Sequence, residues 1–413
     1  MMTSLILMVL ISAGLAVQAG CSVSYDQEFE ERSKSQPVRQ PSADGTATRP
    51  ADSQAPQTMD PTPAPASGVP APAADTGPII IPPTVTATTR LGPAADDLAP
   101  SRGRGGLILM GGGPDVDSAF VWAHEQIAGD RVTRRGDVIV LRATGADGYD
   151  TYLAQLAPFH SVQTLIIGPN ASRQDLDTVA RLVRRAELVF FAGGNQADYV
   201  AWRQSDLMPA VQSVYTKGGV VGGTSAGLAI LGQFVFDAIS AGAANVTTAE
   251  AVANPFATSI SFTRNMLNFP TMRRVITDTH FAERDRFGRL ASFVARQFTD
   301  GAVTATERVT GIGVSEDTAV LVDAAGRAIR APGSVGSAYV IRGTPATRAA
   351  AAMSLGYPNL SVIRLEADGQ FYDFTRSCGT GPSYSVNVDG SLNGLYSPTN
   401  LYTVAGPAGT CPP

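Results

Sequence analysis

A glycine-rich turn between two apolar runs is the feature that most constrains the fold of this chain. Residues 217–227 read KGGVVGGTSAG, which predicts a buried strand, a sharp turn and then a helix. The spacing Gly223-x-Ser225-x-Gly227 is typical of a serine that projects from a strained strand-to-helix turn. Glycine tolerates the backbone angles of such a turn, and the helix start directs N–H groups at a developing oxyanion. Because an ordinary strand–helix turn can have the same spacing, the rest of the chain must decide between the two.

Short apolar runs alternate with helical segments before this turn. Continuous apolar strands that alternate with helices are typical of a parallel sheet covered on both faces. The sequence therefore predicts an α/β fold with a doubly wound, mostly parallel sheet, whose site lies beyond the carboxyl ends of the strands. The predicted strands are 107–110, 137–141, 164–167 and 188–191, and the predicted helices are 118–128, 150–158, 173–185 and 197–214.

The N-terminal part of the chain indicates export and a tether. Residues 4–17 are apolar but fewer than the ~20 that span a bilayer, and small residues precede Cys21. This order is typical of a lipoprotein signal over residues 1–20 with lipidation of Cys21; a plain secretory signal is the alternative. Residues 21–104 are rich in Pro, Ala, Ser and Thr, which predicts a disordered tether. We therefore expect an exported protein of the bacterial cell envelope, anchored to the membrane through Cys21.

The C-terminal part predicts a different kind of structure. Residues 344–413 are rich in Ser, Thr, Gly, Tyr and Asn and have few helix signals, so we expect a β-rich or irregular extension. Cys378 and Cys411 lie in this extension. In an exported protein they are expected to form a disulfide, worth roughly 3 kcal/mol, with two free thiols as the alternative.

Charge and histidine content narrow the classes of function. The formal net charge is −5 and no basic stripe is present, which argues against nucleic acid as a partner. The three histidines, His124, His160 and His280, are far apart, and no CxxC pair exists, so we expect no metal or cofactor. A nucleophilic serine needs a base. Of the three histidines we favour His280, which follows an apolar run and lies among charged residues.

The acid that would orient this base has several candidates. Residues 311–322 predict a strand, an acidic turn and a second strand, and Glu316 lies in that turn. Asp317 fits an exposed turn equally well. The alternative order, with the acid before the histidine as in α/β-hydrolases, would use Asp237, Glu250 or Asp278. Glu316 gives the order serine, histidine, glutamate and is preferred.

Four stretches together resemble the cyanophycinases, a group within the S51 serine peptidases that also contain aspartyl dipeptidases. The resemblance covers about residues 105–340 and implies a catalytic domain over 105–343. Its fold would be similar to the class I glutamine amidotransferases, with serine where those enzymes carry cysteine. The stretches are GGG at 111–113, FAGGNQ at 191–196, GGTSAG at 222–227, and the segments around His280 and Glu316.

The resemblance implies a role for each matching residue. Ser225 would be the nucleophile, His280 the general base and Glu316 its orienting acid, without a cofactor. Backbone N–H groups of Ala226 and of the Gly112–Gly113 loop would form the oxyanion hole. The residues that would contact the substrate are Gln196, Arg284, Arg286 and Arg289.

The resemblance also implies a substrate class. Cyanophycinases cleave cyanophycin, a polyaspartate chain that carries arginines on its side chains, to β-aspartyl-arginine dipeptides. Three guanidinium groups near the base suit substrate carboxylates. We therefore expect hydrolysis of cyanophycin or of aspartyl peptides, and, by resemblance, a possible homodimer. The alternatives are another serine hydrolase, such as an esterase, and a non-catalytic surface lipoprotein that keeps the fold.

Overall fold

The computed structural model describes residues 79–97, 104–129, 136–240, 245–392 and 394–411. The predicted signal segment, Cys21 and the tether up to residue 78 lie outside this part of the chain. Two β-sheets with flanking helices make up the described fold. The helices are α1 (Asp117–Ala128), α2 (Asp150–Leu156), α3 (Arg173–Val183), α4 (Gln196–Ala201), α5 (Leu207–Thr216), α6 (Ala226–Ala229), α7 (Thr248–Ala253) and α8 (Phe287–Thr299).

The first sheet contains the predicted parallel strands. Its order is β1-β4-β3-β5-β6-β2-β11-β12-β15-β16, and the block from β4 to β2 is parallel. The strands on either side of this block pair antiparallel. These strands are β1 (Val85–Ala87), β2 (Gly106–Met110), β3 (Asp137–Arg142), β4 (Ser161–Ile167), β5 (Leu188–Phe191), β6 (Val220–Thr224), β11 (Ala319–Asp323), β12 (Arg327–Arg330), β15 (Phe371–Asp373) and β16 (Cys378–Gly379).

The second sheet was not predicted. Its order is β18-β17-β14-β13-β10-β9-β7-β8, and only the pairs β10–β9 and β9–β7 within the described sheet are parallel. It collects strands that follow the Ser225 turn in sequence. These strands are β7 (Phe234–Phe236), β8 (Phe262–Arg264), β9 (Val275–Asp278), β10 (Val309–Val314), β13 (Ala338–Gly343), β14 (Gly356–Leu365), β17 (Ser383–Asp389) and β18 (Tyr396–Ser397).

The two sheets share a hydrophobic core. On one face of the first sheet, Leu109 and Val221 join a cluster with α3, α5 and strands of the second sheet. Helices α1 and α2 cover the opposite face of the first sheet. Helix α8 covers the outer face of the second sheet, where Phe293 stacks on Phe236 with ring centroids 4.5 Å apart. Continuous burial on both faces explains why the central strands are apolar throughout.

Residues 79–97 correct the predicted tether boundary. Strand β1 pairs antiparallel with β4, and the Val85 side chain is buried in the core. The Thr88 hydroxyl also donates to the Asp150 carboxylate. The apolar residues between 79 and 87 explain why this segment joins the fold, because they cover an edge of β4 that would otherwise be exposed. The prediction of a tether that extends to residue 104 is therefore wrong for this segment.

The predicted boundary at residue 343 does not separate two bodies. The segment beyond it is β-rich, as expected, but its strands enter both sheets: β14, β17 and β18 extend the second sheet, and β15 and β16 extend the first. Cys378 and Cys411 form the predicted disulfide. The extension is thus part of the same fold as the catalytic candidates.

The predicted helix over 197–214 is also wrong as a single element. It divides into α4, a 3₁₀ turn at Trp202–Gln204, and α5. Ser205 is extended at the break, and its hydroxyl accepts the Leu207 N–H. Proline at 209 has no N–H to donate to residue 205, so a continuous helix would lose a bond there.

Within the described residues, no helix has both the length and the apolar composition that a bilayer span requires.

Candidate active site

Ser225 lies at the junction of β6 and α6 with a left-handed backbone, φ 51° and ψ −117°. Its N–H donates to the Met110 carbonyl at 3.1 Å, which ties the turn to the neighbouring strand β2. The two glycines of the motif allow close packing. A Cβ on Gly223 would lie 2.4 Å from the Gly227 carbonyl carbon, and a Cβ on Gly227 would lie 2.1 Å from the Phe191 carbonyl oxygen. The turn is strained in the manner that the spacing predicts.

His280 reaches Ser225 from the second sheet. It follows β9, has φ 46°, and donates its N–H to the Gly111 carbonyl at 2.8 Å. The side chain is buried, and Nε2 lies 2.7 Å from the Ser225 hydroxyl. This is the distance that proton transfer from the serine to the imidazole requires.

Glu316 completes a chain of hydrogen bonds. Its Oε1 lies 2.6 Å from His280 Nδ1. The turn that carries Glu316 runs from β10 in the second sheet to β11 in the first, and so crosses between the sheets beside the Ser225 turn. The neighbouring Asp317 donates its N–H to the Gly112 carbonyl at 2.9 Å, which fixes the turn against the glycine loop. The structure therefore brings Ser225, His280 and Glu316 together in the predicted order.

The alternative acids are engaged elsewhere. Asp237 accepts hydrogen bonds from Ser261 and Thr263, and the N-terminal turn of α7 uses Glu250 for its own cap. Asp278 pairs with Arg289. The order that is typical of α/β-hydrolases is therefore not formed here.

The other two histidines lie away from Ser225. The ring of His124, on α1, packs edge-on against Phe159 with centroids 5.4 Å apart. His160 Nε2 contacts the Ala95 carbonyl oxygen at 2.8 Å. Neither contact involves the residues of the candidate site, so His280 is the histidine that the fold places next to the serine.

Burial favours the neutral form of the His280 imidazole by lowering its pKa. Desolvation lowers the pKa of His280 below its ordinary value, and the positive charges of Arg284 and Arg286 lower it further. The hydrogen bond and negative charge of Glu316 oppose this effect. A neutral imidazole can accept the serine proton, and Glu316 can stabilise the imidazolium that then forms.

The glycine loop after β2 lies against the imidazole. A Cβ on Gly112 would be 2.3 Å from His280 Cε1, and Gly112 has φ 104°. A Cβ on Gly113, with φ 74°, would be 2.4 Å from an Asp317 carboxylate oxygen. Ala226 is the first residue of α6, directly after Ser225. The three residues predicted for the oxyanion hole thus adjoin the serine, the histidine or the acidic turn.

The three arginines after His280 differ in position. Arg284 is half-exposed, and its Nη2 lies 3.8 Å from Glu316 Oε1. Arg286 donates from Nη1 to the Thr279 carbonyl at 2.9 Å and to the Thr279 hydroxyl at 3.0 Å. Arg289 is buried, with donors directed to Asp278 and to the Val246 carbonyl.

These contacts correct the predicted roles of two arginines. Arg286 and Arg289 hold the backbone and carboxylate of residues 278–279, immediately before His280, because a buried guanidinium needs such acceptors. We therefore remove both from the predicted substrate contacts and regard them as supports of the His280 loop. Arg284 keeps an exposed guanidinium beside the site.

Gln196 occupies the start of α4, which packs against α6. Its Nε2 lies 3.5 Å from the Phe236 carbonyl oxygen, and its side chain is half-buried. The adjacent Asn195 caps α4 through a hydrogen bond from the Ala197 N–H. The predicted substrate contact of Gln196 is compatible with this position near the serine turn.

Asp115 is a neighbour of the site that the sequence did not indicate. Its buried carboxyl lies beside the hydroxyls of Tyr149 and Thr224, and Thr224 immediately precedes Ser225. Burial raises the pKa of Asp115 to about 7, while the nearby hydroxyls of Tyr149 and Thr224 and the charge of Arg142 act in the opposite direction. The sequence feature that could have indicated Asp115 is its position directly after the glycine loop and Pro114.

Comparison with known proteins supports the predicted resemblance. No family model matches the chain. Cyanophycinases from Synechococcus elongatus and Thermosynechococcus vestitus are each 28% identical over 167 residues, which is 40% of this chain and 45% of each relative. The chain thus spans less than half the length of the curated relatives that it matches. Similarity to cyanophycinases is confirmed over that segment.

Two solved structures of peptidases match the chain at low TM-score and low identity. A peptidase from an acI-B1 Actinobacterium has a TM-score of 0.34 and 15% identity, and the match covers 69% of this chain and 98% of that one. A putative peptidase E from Listeria monocytogenes EGD-e has a TM-score of 0.33 and 14% identity, covering 58% of this chain and 98% of the other.

Proposed function

We propose that this protein is a serine peptidase of the cyanophycinase type, which cleaves cyanophycin or aspartyl and isoaspartyl peptides. The observation that carries the proposal is the hydrogen-bonded chain from the Ser225 hydroxyl to His280 and from His280 to Glu316. A serine at the carboxyl end of a parallel strand, paired with a buried histidine that also contacts a carboxylate, is the arrangement that activates a serine nucleophile.

In the proposed acylation step, the Ser225 hydroxyl attacks the carbonyl carbon of the scissile bond while His280 Nε2 accepts the hydroxyl proton. Backbone N–H groups of Ala226 and of the Gly112–Gly113 loop would stabilise the negative charge on the substrate oxygen. The imidazolium then gives its proton to the leaving amine, and an acyl-enzyme on Ser225 remains. Glu316 holds the imidazole in the required tautomer throughout.

In the proposed deacylation step, water takes the place of the leaving amine. His280 accepts a proton from the water, the hydroxide attacks the acyl carbon, and the proton returns to the Ser225 oxygen as the carboxylic acid leaves. Exposed Arg284 lies where a guanidinium could bind a substrate carboxylate in two hydrogen bonds, and Gln196 is a second candidate contact. This chemistry favours substrates with an aspartyl carboxylate near the cleaved bond.

The test is hydrolysis of cyanophycin and of β-aspartyl dipeptides by the wild-type chain and by Ser225→Ala. We expect the variant to lose at least about 10³-fold in kcat/KM, since removal of a triad nucleophile has effects of this order or larger. Ser213→Ala, which removes a helical hydroxyl on α5, is the matched control and should keep full activity. Undiminished hydrolysis by Ser225→Ala would exclude the proposal.

We also propose that the mature protein is a lipoprotein anchored through Cys21. The support is sequence alone: an apolar segment, small residues and then the cysteine. Expression in a bacterial host with a radiolabelled fatty acid should label the wild-type chain and leave Cys21→Ser unlabelled. Equal labelling of both chains, or of neither, would contradict the proposal.

A further inference from the structure

The loop that carries His280 is held by two tyrosines from the far end of the chain. Tyr396 and Tyr402 donate their hydroxyl hydrogens to the same carboxylate oxygen, Asp285 Oδ1, at 3.0 Å and 2.9 Å. Asp285 lies five residues after His280 in sequence, whereas each tyrosine is more than 100 residues away. Contacts at such separation are made by the fold and not by local sequence.

The same two hydroxyls also accept hydrogen bonds. The Phe287 N–H donates to the Tyr402 hydroxyl at 3.1 Å, and the Gly288 N–H donates to the Tyr396 hydroxyl at 3.1 Å. These N–H groups belong to the first turn of α8, which has no partners for them within the helix. Each tyrosine therefore joins the Asp285 carboxylate to the start of α8.

The joined elements lead directly to the histidine. Within the loop, the Arg284 N–H donates to the His280 carbonyl and the Arg286 N–H donates to the Phe281 carbonyl, at 3.1 Å and 2.9 Å. On α8, Arg289 bonds Asp278, two residues before His280. The loop is thus fixed on both sides of His280 to the turn of α8 that the tyrosines cap.

Packing and a covalent bond hold the tyrosines in turn. The Tyr402 ring packs edge-on against Phe281 and Tyr339, and the Tyr396 ring packs edge-on against Phe287. The Tyr402 carbonyl accepts a hydrogen bond from Arg364 at 2.8 Å. Cys411, nine residues after Tyr402, is bonded to Cys378 and ties the end of the described segment to the first sheet. The C-terminal segment therefore has a defined position against the loop.

We propose that Tyr396 and Tyr402 are positioning residues that fix His280 through Asp285 and the start of α8. This arrangement is the C-terminal clasp, defined by Tyr396, Tyr402 and Asp285. The inference rests on the proposed function, in which His280 is the general base. It assigns the C-terminal extension a share in the reactivity of Ser225, although the extension touches neither Ser225 nor His280 through the clasp residues.

The test uses the full chain and a fluorophosphonate probe, which reacts with an activated serine whatever the natural substrate is. The Tyr396→Phe/Tyr402→Phe double variant should label at least about tenfold more slowly than wild type, because small displacements of a base have effects of this size. Tyr357→Phe is the matched control: its hydroxyl donates to the Thr344 carbonyl in the same extension, away from the loop. The control should label at the wild-type rate.

Two substitutions at Asp285 separate positioning from general stability. Asp285 has φ 45°, a conformation that asparagine and glycine both tolerate. Asp285→Asn keeps an acceptor for the tyrosine hydroxyls and should label close to the wild-type rate. Asp285→Gly removes the acceptor and should be as slow as the double variant. Equal rates for the two Asp285 variants, or a double variant that labels at the wild-type rate, would overturn the clasp.

A second readout is independent of hydrolase chemistry. The chain has three histidines, so the His280 proton resonance can be assigned with His280→Gln and titrated by NMR. A loosened and hydrated loop should move the His280 titration in the double variant toward the ordinary range, and Tyr357→Phe should leave it in place. If wild type resists the probe, the proposed function fails and this titration alone decides the clasp: a shift supports it and no shift overturns it. If wild type labels, the labelling rates decide it.

Discussion

The Ser225 hydroxyl lies 2.7 Å from His280 Nε2, although the two residues follow strands of different sheets. Ser225 follows β6 of the first sheet, and His280 follows β9 of the second. Glu316 lies in the turn where the chain passes from the second sheet to the first. The candidate site therefore lies where the two sheets meet, and its geometry depends on how the two sheets pack.

Glu316→Gln should lower kcat/KM by about 10²- to 10⁴-fold, because the amide cannot stabilise the imidazolium and can hold the wrong tautomer. The stability of the fold should change little, since the Glu316 side chain is a third exposed. Steady-state kinetics on an aspartyl dipeptide is the measurement. Glu307→Gln, which alters a surface pair with Arg274, should retain full activity. If Glu316→Gln keeps the wild-type kcat/KM, a residue other than Glu316 must orient His280.

The pH dependence of the reaction should reflect the buried imidazole. The base acts in its neutral form, and burial lowers the pKa of His280 below the ordinary 6.5. Activity should therefore persist as pH falls through 6.5 and be lost only at lower pH. The rate of fluorophosphonate labelling, measured as a function of pH, gives the midpoint pH at which activity is lost. Arg284→Gln removes a charge that lowers the pKa of His280, so its midpoint should lie at higher pH than that of wild type. A wild-type midpoint at or above pH 6.5 would contradict the role of the buried His280 as the general base.

Gly112→Ala should abolish most of the activity. The added Cβ would lie 2.3 Å from His280 Cε1, so the imidazole must move away from Ser225, and a displacement of about 1 Å can lower a rate ~10²-fold. The control is Gly333→Ala, which has a similar positive φ of 81° but no atom within 4 Å of the new Cβ. It reproduces the backbone strain without the clash. If both variants lose activity equally, strain and not the imidazole contact is the cause.

Local signals in the sequence predicted most of the first sheet and the three central residues of the site. The strand Leu188–Phe191 and the turn at Ser225 have continuous apolar or glycine patterns that depend only on neighbouring residues. The pairing of β10 and β11 into different sheets depends on distant strands, so the strand–turn–strand pattern around Glu316 could not show it. The contacts of Tyr396 and Tyr402 with Asp285 were hidden for the same reason. The break before α5 did have a local signal in Pro209.

Loss of the disulfide should destabilise the extension. Cys378 and Cys411 are 33 residues apart, for which the loop-entropy model gives roughly 3 to 4 kcal/mol of unfolding free energy. The Cys378→Ser/Cys411→Ser variant should unfold at lower denaturant concentration than wild type, and a reducing agent should lower the wild-type midpoint to about that of the variant. A wild-type midpoint that does not respond to full reduction would show that the bond contributes nothing to stability.

Asp115 should make the stability of the fold depend on pH near neutrality. Burial raises the pKa of Asp115 from 3.8 to about 7, so the folded protein holds a proton that the unfolded chain has already released. This contribution is fully present below pH 3.8 and is lost as pH rises through about 7, at up to about 1.4 kcal/mol per pH unit.

Asp115→Asn keeps the polar contacts with Tyr149 and Thr224 but cannot ionise. Denaturant unfolding at pH 5 and pH 8 should therefore show a smaller loss of stability for Asp115→Asn than for wild type. Asp206→Asn, which alters an exposed pair with Arg184, should keep the wild-type difference. Equal differences for wild type and Asp115→Asn would mean that the Asp115 carboxyl is ionised in the folded protein throughout this range.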